Sequence, residues 1–350
     1  MAQPKRINLA LQGGGAHGAF TWGVLDRLLE DDGIEIAGIS GTSAGALNGA
    51  ALKAGLVADG KGQDRDAARA NLDALWHKVA GVHDLRLTSW FAQFAPQNEL
   101  ISQAFQASPM FIWADMASRV VSPYAYGPFY KNPLRDIIAD FDYDKVCADI
   151  GPRLNVSATN VRTGKIRVFG GDEISTDAIL ASACLPTVFQ AVEMVDPKTG
   201  TDEAFWDGGY TGNPALFPLF DPALPADIVV VNINPLYRHD IPRNGADIQN
   251  RINEISFNSS LLRELRAISF VKRLIASGQL SPGQMRDVLV HMISDDELMR
   301  DLSTATKLVP SSVTLHRLKD AGRAAAGAFL DAHRADLNLR GTVDLEEMFG

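Results

Sequence analysis

The sequence has few of the features that mark secreted, membrane-spanning or metal-scaffolded proteins. Only two of the 350 residues are cysteine. Cys147 and Cys184 lie in apolar surroundings without a C-x-x-C partner, so we expect two buried thiols rather than a disulfide framework or a metal site. No stretch supplies the ~20 largely uncharged apolar residues of a membrane-spanning helix, and the apolar run near the N-terminus is too short for a signal peptide. We therefore expect a soluble, cytoplasmic protein whose membrane contact is at most peripheral.

Positive charge is scarce as well. Lys and Arg together number 33 against 42 Asp and Glu, which gives a formal net charge of -9. This balance disfavours a nucleic-acid partner, because phosphate contact needs clustered basic residues. A hydrophobic fraction of 46% over 350 residues is enough for a large core, so we expect one large domain, with or without an appendage. The sequence does not indicate an oligomeric state.

The most informative stretch is a G-x-S-x-G motif between a strand and a helix. Residues 35–40 are short, apolar and β-branched, as in a strand, and 44–56 are rich in Ala and Leu at helical spacing. Gly41 and Gly45 flank Ser43, and such a reversal from strand to helix requires small neighbours and presents the central hydroxyl at the tip of the turn. A helix N-terminus also favours a nearby anion. A plain serine N-cap is the alternative interpretation.

A glycine-rich loop, 12–18, precedes this motif. It follows a predicted strand, 6–11, and opens a predicted helix, 19–30. Gly13, Gly15 and Gly18 satisfy the dinucleotide-binding pattern G-x-G-x-x-G, but the acidic residue expected at the end of the second strand is missing. Such a loop can equally present backbone amides to an oxyanion. A β-α-β crossover would place this loop and Ser43 at the same edge of the sheet.

A third motif, Asp207-Gly208-Gly209, follows a predicted strand at 204–206. Paired glycines after an aspartate allow a sharp turn that aims a carboxylate out of a strand, although an aspartate that bonds only its own backbone is an equally ordinary explanation. Hairpin strands are predicted at 154–161 with 165–169 and at 188–195 with 204–206, and a buried strand at 227–233.

The remaining segments are predicted in less detail. Residues 59–69 are predicted to be a solvated connection before a helix at 71–79, and 134–140 a short helix. The aromatic-rich region 85–130 is either ordinary core or an apolar cap over the site. Residues 176–184, 248–277 and 311–336 are predicted helices, and 281–303 is mixed. Five further histidines are expected to be structural: His77, His239, His291, His316 and His333.

Taken in order, these three motifs resemble the patatin-like phospholipase family over about residues 7–235. The resemblance implies a serine-aspartate dyad, with Ser43 as nucleophile and Asp207 as its partner. It further implies an oxyanion hole formed by Gly13, Gly14 and Gly15. The other motif residues would support this geometry: His17, Gly18, Gly41, Gly45, Gly208 and Gly209. The family commonly has Arg or Lys where this chain has His17, which leaves open whether a cation supports the glycine loop.

The implied fold is α/β, a patatin-like three-layer sandwich with a mainly parallel central sheet, antiparallel additions and a helical C-terminal region. We expect a catalytic domain at 1–240, with 85–130 as a cap region, and a helical extension at 241–350 packed on it. The implied activity is lipid acyl hydrolysis of acyl-ester or phospholipid substrates without a cofactor or metal. An aspartate of ordinary pKa, about 4, is a poor base at neutral pH, so the site must raise this pKa by excluding water.

Three alternatives remain at this point. One is a Ser-His-Asp carboxylesterase or thioesterase, for which His239 is the nearest histidine after the acid. A variant gives the base role to His17, which would produce an acid limb near its ordinary pKa of about 6.5. The third is a lipid-binding or regulatory protein without turnover. The acyl group itself, including a hydroxyalkanoate ester, is not specified by the sequence.

Overall fold

The computed structural model describes residues 3–82, 122–125, 130–243, 245–281, 283–302, 306–307 and 310–349. Within these residues one eight-stranded sheet forms the centre of the molecule. Its strands are β1 Lys5–Leu11, β2 Ile34–Thr42, β3 Arg153–Asn160, β4 Ile166–Gly170, β5 Val192–Val195, β6 Asp202–Asp207, β7 Asp227–Asn232 and β8 Leu289–Ser294.

The described helices alternate with these strands in the first part of the chain. They are α1 Gly18–Leu28, α2 Ala44–Leu56, α3 Arg65–Ala80, α4 Arg135–Ala139, α5 Tyr143–Val146, α6 Thr176–Ser182, α7 Gly245–Ala276, α8 Asp296–Asp301, α9 Ser312–His333 and α10 Leu345–Phe349. The prediction that 59–69 is a connection was wrong for residues 65–69, which belong to α3. The Asp64 side chain accepts from the Ala67 amide at 2.9 Å and so starts α3 at Arg65.

The sheet is mainly parallel, in the order β5-β6-β3-β2-β1-β7-β8, with β4 paired to β3. The strands from β3 through β2, β1 and β7 to β8 are parallel neighbours, whereas β4, β5 and β6 are antiparallel additions. This is the predicted sheet, with one strand more. The strand β8 lies in the region 281–303 that the sequence left mixed, so the sheet itself continues beyond residue 240.

Helices cover both faces of the sheet, which gives the three layers predicted. Alternate residues of β7 face opposite sides: Val229 and Val231 join the larger core with α1, α2, α3 and α9, whereas Ile228 and Val230 join a smaller core with α7. The contact between α1 and α9 is close, because a Cβ on Gly322 would lie 2.0 Å from the Phe20 carbonyl oxygen.

The strand β3 brings the second and third sequence motifs together. It pairs with β2 up to Ser157, opposite Thr42, and with β6 from Ala158, opposite Asp207. Since β4 pairs along the same stretch of β3 on the other side, β6 takes over the side of β3 where β2 ends. The residue after β2 and the last residue of β6 therefore meet at one point of the sheet.

Candidate active site

Ser43 occupies the turn between β2 and α2 in a strained backbone conformation. Its φ is 53° and its ψ is -123°, a region that non-glycine residues rarely adopt and that costs roughly 1–3 kcal/mol. Although Ser43 is the residue at the N-cap of α2, its side chain makes no capping hydrogen bond. The plain N-cap interpretation is therefore wrong, and the hydroxyl is left for other contacts.

Neighbouring groups hold this turn in place. The Ser43 amide donates to Ser182 Oγ at 2.9 Å, and Thr42 Oγ1 donates to the Gly212 carbonyl at 2.6 Å. A Cβ on Gly45 would lie 2.1 Å from the Leu11 carbonyl oxygen, so only glycine lets α2 pass this close to β1. Other motif glycines stand at similar close approaches: Gly18, Gly41 and Gly208.

Asp207 ends β6 and is almost completely buried, with 1% of its surface exposed. Its Oδ1 accepts from the Gly209 amide at 2.7 Å, while its Oδ2 has no hydrogen-bond partner among the described residues. Burial raises the pKa of Asp207 from 3.8 to about 7, and the Gly209 amide and the Ser43 hydroxyl lower it again in part. Ser43 is thus close enough to influence this carboxyl, without a hydrogen bond of ordinary length to Oδ2.

The glycine loop lies beside Ser43, as the crossover argument predicted. A Cβ on Gly13 would be 2.6 Å from the Ser43 Cβ. The Gly13 amide, however, donates to Asn213 Oδ1 at 2.6 Å, so this donor is already engaged in the structure. Among the described residues the amides of Gly14 and Gly15 have no such acceptor, and Gly15 adopts a φ of 60°.

Four buried carboxamides surround this loop, and sequence analysis missed all of them. Asn213 and Asn234 both donate to the Gly13 carbonyl, at 3.3 and 2.9 Å. Gln12 Oε1 accepts from the Asn234 side chain at 3.1 Å, and Gln12 Nε2 donates to Asn258 Oδ1 at 3.2 Å. A usable signal exists for Gln12 and Asn234, since both are polar residues just after the carboxyl end of a parallel strand, where ligand sites lie in α/β sheets.

His17 is not placed to act as the base. It is buried, with Nε2 at 2.8 Å from Thr306 Oγ1 and Nδ1 without a partner among the described residues. Burial, and to a smaller extent the charge of Lys307, lower the pKa of His17 well below 6.5. An acid limb near 6.5 from this residue is therefore not expected, and His17 is neutral at neutral pH.

The other histidines lie elsewhere. His239 is exposed, with its ring 4.9 Å from the Tyr237 ring, and no histidine is among the described hydrogen-bond partners of Asp207. His291 is buried and pairs with Asp227 at 3.0 Å, a structural contact inside the sheet. The geometry within the described residues gives no support to a Ser-His-Asp triad.

The predicted cap region, 85–130, lies outside the described residues except at 122–125 and 130. There, Tyr124 Oη and Tyr130 Oη accept from the backbone amides of Ala191 and Gln190, at 3.1 and 3.3 Å.

Of the two cysteines, Cys184 is buried beside Asp207, whose amide donates to the Cys184 carbonyl at 2.8 Å, whereas Cys147 is only partly buried. The expectation of a buried thiol thus holds for Cys184 alone.

An α/β protein that presents a serine on a strained strand-to-helix turn beside a buried carboxyl is typical of hydrolases of carboxylic esters. The patatin-like phospholipase family model matches residues 9–220. The chain belongs to this family, and a lipid acyl hydrolase activity is what the family suggests.

The solved structures that are similar to this chain include two bacterial proteins. VipD from Legionella pneumophila is 15% identical, with 94% of this chain and 67% of that chain covered and a TM-score of 0.39. The ExoU chain of the ExoU-SpcU complex from the type III secretion system of Pseudomonas aeruginosa is 17% identical, with 99% and 66% covered and a TM-score of 0.28. This chain therefore spans about two thirds of their length. Among curated proteins, none matches it significantly.

No helix in the described part of the chain is both long enough and apolar enough to cross a bilayer. Over the same residues, no cluster of three or more histidine, cysteine or acidic side chains is arranged to hold a metal ion.

Proposed function

We propose that this protein hydrolyses the acyl esters of lipids through a covalent serine intermediate, with Ser43 as the nucleophile and Asp207 as its base. The observation that carries the proposal is the pairing of a strained, uncapped Ser43 with a buried carboxyl whose pKa burial raises to about 7. Such a carboxyl is a far better base at neutral pH than an exposed aspartate, and about half of it is ionised there.

In the first step, Ser43 Oγ attacks the ester carbonyl carbon while its proton passes to Asp207 Oδ2. The carbonyl oxygen becomes an oxyanion, which the amides of Gly14 and Gly15 stabilise together with the N-terminus of α2. Collapse of this intermediate breaks the bond to the alcohol, which leaves with the proton from Asp207. Ser43 is then acylated.

In the second step, water attacks the acyl group and gives its proton to Asp207. The Ser43 oxygen leaves, takes the proton back and releases the carboxylic acid. Oxyanion donors of this kind are worth about 3 to 4 kcal/mol each, which offsets a base of moderate strength for esters. Amides, whose leaving groups are worse, should react poorly.

The test compares Ser43→Ala with a control, Ser40→Ala. Ser40 is a buried serine on β2, the strand that leads into the Ser43 turn, and its hydroxyl donates to the Ala215 carbonyl. We expect Ser43→Ala to lose ester hydrolysis on the order of 10³-fold or more and to lose labelling by a fluorophosphonate probe, while Ser40→Ala keeps both. Folding is checked by circular dichroism. Unchanged turnover in folded Ser43→Ala would refute the proposal.

The substrate class is decided by a panel run with the same two variants. It contains p-nitrophenyl esters of increasing chain length, defined phospholipids, a neutral lipid, an acyl thioester and a hydroxyalkanoate oligomer. A protein that binds these lipids but neither turns them over nor reacts with the probe would be a lipid-binding or regulatory protein instead.

A further inference from the structure

Lys307 lies against the glycine loop, although it comes from beyond residues 9–220 that match the family. A Cβ on Gly15 would be 2.3 Å from the Lys307 carbonyl oxygen. Lys307 Nζ donates to Asn234 Oδ1 at 3.2 Å, and Asn234 Nδ2 donates to the Gly13 carbonyl at 2.9 Å. One buried carboxamide therefore connects the ammonium group to the loop.

These hydrogen bonds all run in one direction: Lys307 donates to Asn234, and Asn234 donates to the Gly13 carbonyl. The Gly13 carbonyl belongs to the same peptide unit as the Gly14 amide. Donation into this carbonyl polarises the peptide and makes the Gly14 N–H a stronger donor, because successive hydrogen bonds reinforce one another in a buried site. The Asn234 side chain is held in this orientation at both ends, since its Nδ2 also donates to Gln12 Oε1 at 3.1 Å.

Lys307 supplies the positive charge next to the glycine loop, because the nearby acidic group, Glu254, is paired with other residues. Glu254 is 1% exposed, and its carboxylate is engaged by Arg238 at 2.6 and 2.8 Å and by Arg251 at 3.3 Å. Within the described residues Lys307 Nζ forms no ion pair, and its one hydrogen bond goes to Asn234. Since the pKa of His17 lies well below 6.5, His17 brings no positive charge to this place at neutral pH.

We propose that Lys307 is a positioning residue for acyl transfer, whose ammonium acts through Asn234 to orient the Gly13–Gly14 peptide and strengthen the Gly14 amide towards the oxyanion. This inference rests on the proposed function and adds to it the source of positive charge at the glycine loop. Lys307 does not contact the oxyanion itself but acts through Asn234. Its loss should therefore lower the rate of acyl transfer by about 10-fold, whereas the loss of a direct oxyanion donor lowers it by 10²- to 10³-fold.

The charge of Lys307 also gives the reaction an alkaline limit. Burial lowers the pKa of Lys307 from 10.5 to about 8, while Glu254 opposes this shift and Arg238 adds to it. The charged and titratable groups that interact with it are thus Glu254, Arg238 and the neutral His17. As pH rises through about 8, the ammonium is lost and the rate should fall.

The experiment measures the rate at which Ser43 reacts with a fluorophosphonate, and kcat and KM for a soluble p-nitrophenyl ester, from about pH 6 to pH 9.5 with the Ser43→Ala blank subtracted. Three variants are compared with the wild type. Lys307→Met removes the charge but keeps the aliphatic stem, Lys307→Arg keeps a charge that persists throughout this range, and Lys61→Met removes an exposed surface lysine.

We expect Lys307→Met to lower both the labelling rate and kcat by about 10-fold, with KM within about two-fold, and to lack the decline above pH 8. Lys307→Arg should keep the rate within about three-fold and move the decline out of the measured range. Lys61→Met should match the wild type. Wild-type rates in Lys307→Met, or a wild-type profile that stays flat above pH 8, would overturn the inference.

The two proposals fail separately. If the probe does not react with Ser43 in the wild type, or still labels Ser43→Ala, the proposed function is wrong, and the role of Lys307 falls with it. If Ser43 is required but Lys307→Met is indistinguishable from the wild type, only the role of Lys307 is wrong. Should Lys307→Met fail to fold, the comparison of the wild-type and Lys307→Arg profiles above pH 8 decides the question.

Discussion

Replacing Asp207 by asparagine separates the energetic cost of burying this carboxylate from its use in catalysis. The rise in pKa from 3.8 to about 7 corresponds, at about 1.4 kcal/mol per pH unit, to about 4 kcal/mol for ionising Asp207 in the folded protein. An asparagine has nearly the same shape and no charge to desolvate. Its Oδ1 can still accept from the Gly209 amide, now bonded at 2.7 Å.

The sign of the effect follows from the direction of the shift. Because the folded pKa lies above the unfolded one, the contribution of Asp207 to stability is fully present below about pH 4 and is lost as pH rises through about 7. The advantage of Asp207→Asn over the wild type should therefore grow with pH. Between about pH 5.5 and pH 8.5 it should increase by about 2 kcal/mol, which is the part of the shift that titrates in this interval.

The assay is urea unfolding of both proteins at the two pH values, with ester hydrolysis measured in parallel. The matched control is Glu264→Gln. Burial raises the pKa of Glu264 to about 7 as well, but its carboxylate accepts from the Leu216 and Phe217 amides, at 2.9 and 2.8 Å. Glu264→Gln should show the same trend in stability and keep its activity, whereas Asp207→Asn should lose activity.

Two results would refute this reasoning. An Asp207→Asn advantage that is the same at both pH values, while Glu264→Gln shows the trend, would mean that the Asp207 carboxylate is not desolvated as its burial implies. Full activity in Asp207→Asn would mean that this carboxylate is not the base.

Two further predictions concern the same site. The wild-type kcat/KM should fall as pH drops below about 7, because Asp207 then becomes protonated; a limb near pH 4 in the pH-rate profile would show an ordinary, hydrated aspartate. Gly13→Ala should lose activity by on the order of 10²-fold, because the added Cβ would lie 2.6 Å from the Ser43 Cβ and displace the nucleophile. Gly245→Ala, with nothing within 4 Å of the added Cβ, is the control, and equal kinetics of the two variants would contradict the close packing of Gly13 on Ser43.

The sequence predicted the elements whose determinants are local. The helix α2 has the predicted bounds, 44–56, because small flanking glycines and a run of Ala and Leu specify both the turn and the helix. The strand β8 was not predicted, because its six residues lie in a mixed, charged region of the sequence. What makes them a strand is parallel pairing with β7, which the sequence pattern does not encode.

In the candidate site, too, the sequence predicted the residues with local determinants and missed those that depend on tertiary contacts. Ser43 and Asp207 could be proposed from their glycine-flanked turns and from the order of the motifs. The carboxamides around the glycine loop could not, because an isolated asparagine is as typical of an ordinary turn. The Gly13 amide meets its partner, Asn213, across 200 residues of sequence. Only the tertiary structure reveals that the Gly13 amide already has an acceptor.

Two features of the proposed dyad each oppose folding, and close backbone packing and strand pairing help to hold both of them in place. The strained φ of Ser43 costs roughly 1–3 kcal/mol, and burial of ionised Asp207 about 4 kcal/mol. Neither can relax locally. A shift of the Ser43 turn would move α2 away from β1, where Gly45 already lies against the Leu11 carbonyl. A shift of Asp207 would break the pairing of Ala158 with β6. The reactive geometry is therefore maintained by the same sheet that forms the core, so substitutions that loosen β1, β2 or β3 should lower the reactivity of Ser43 before they unfold the protein.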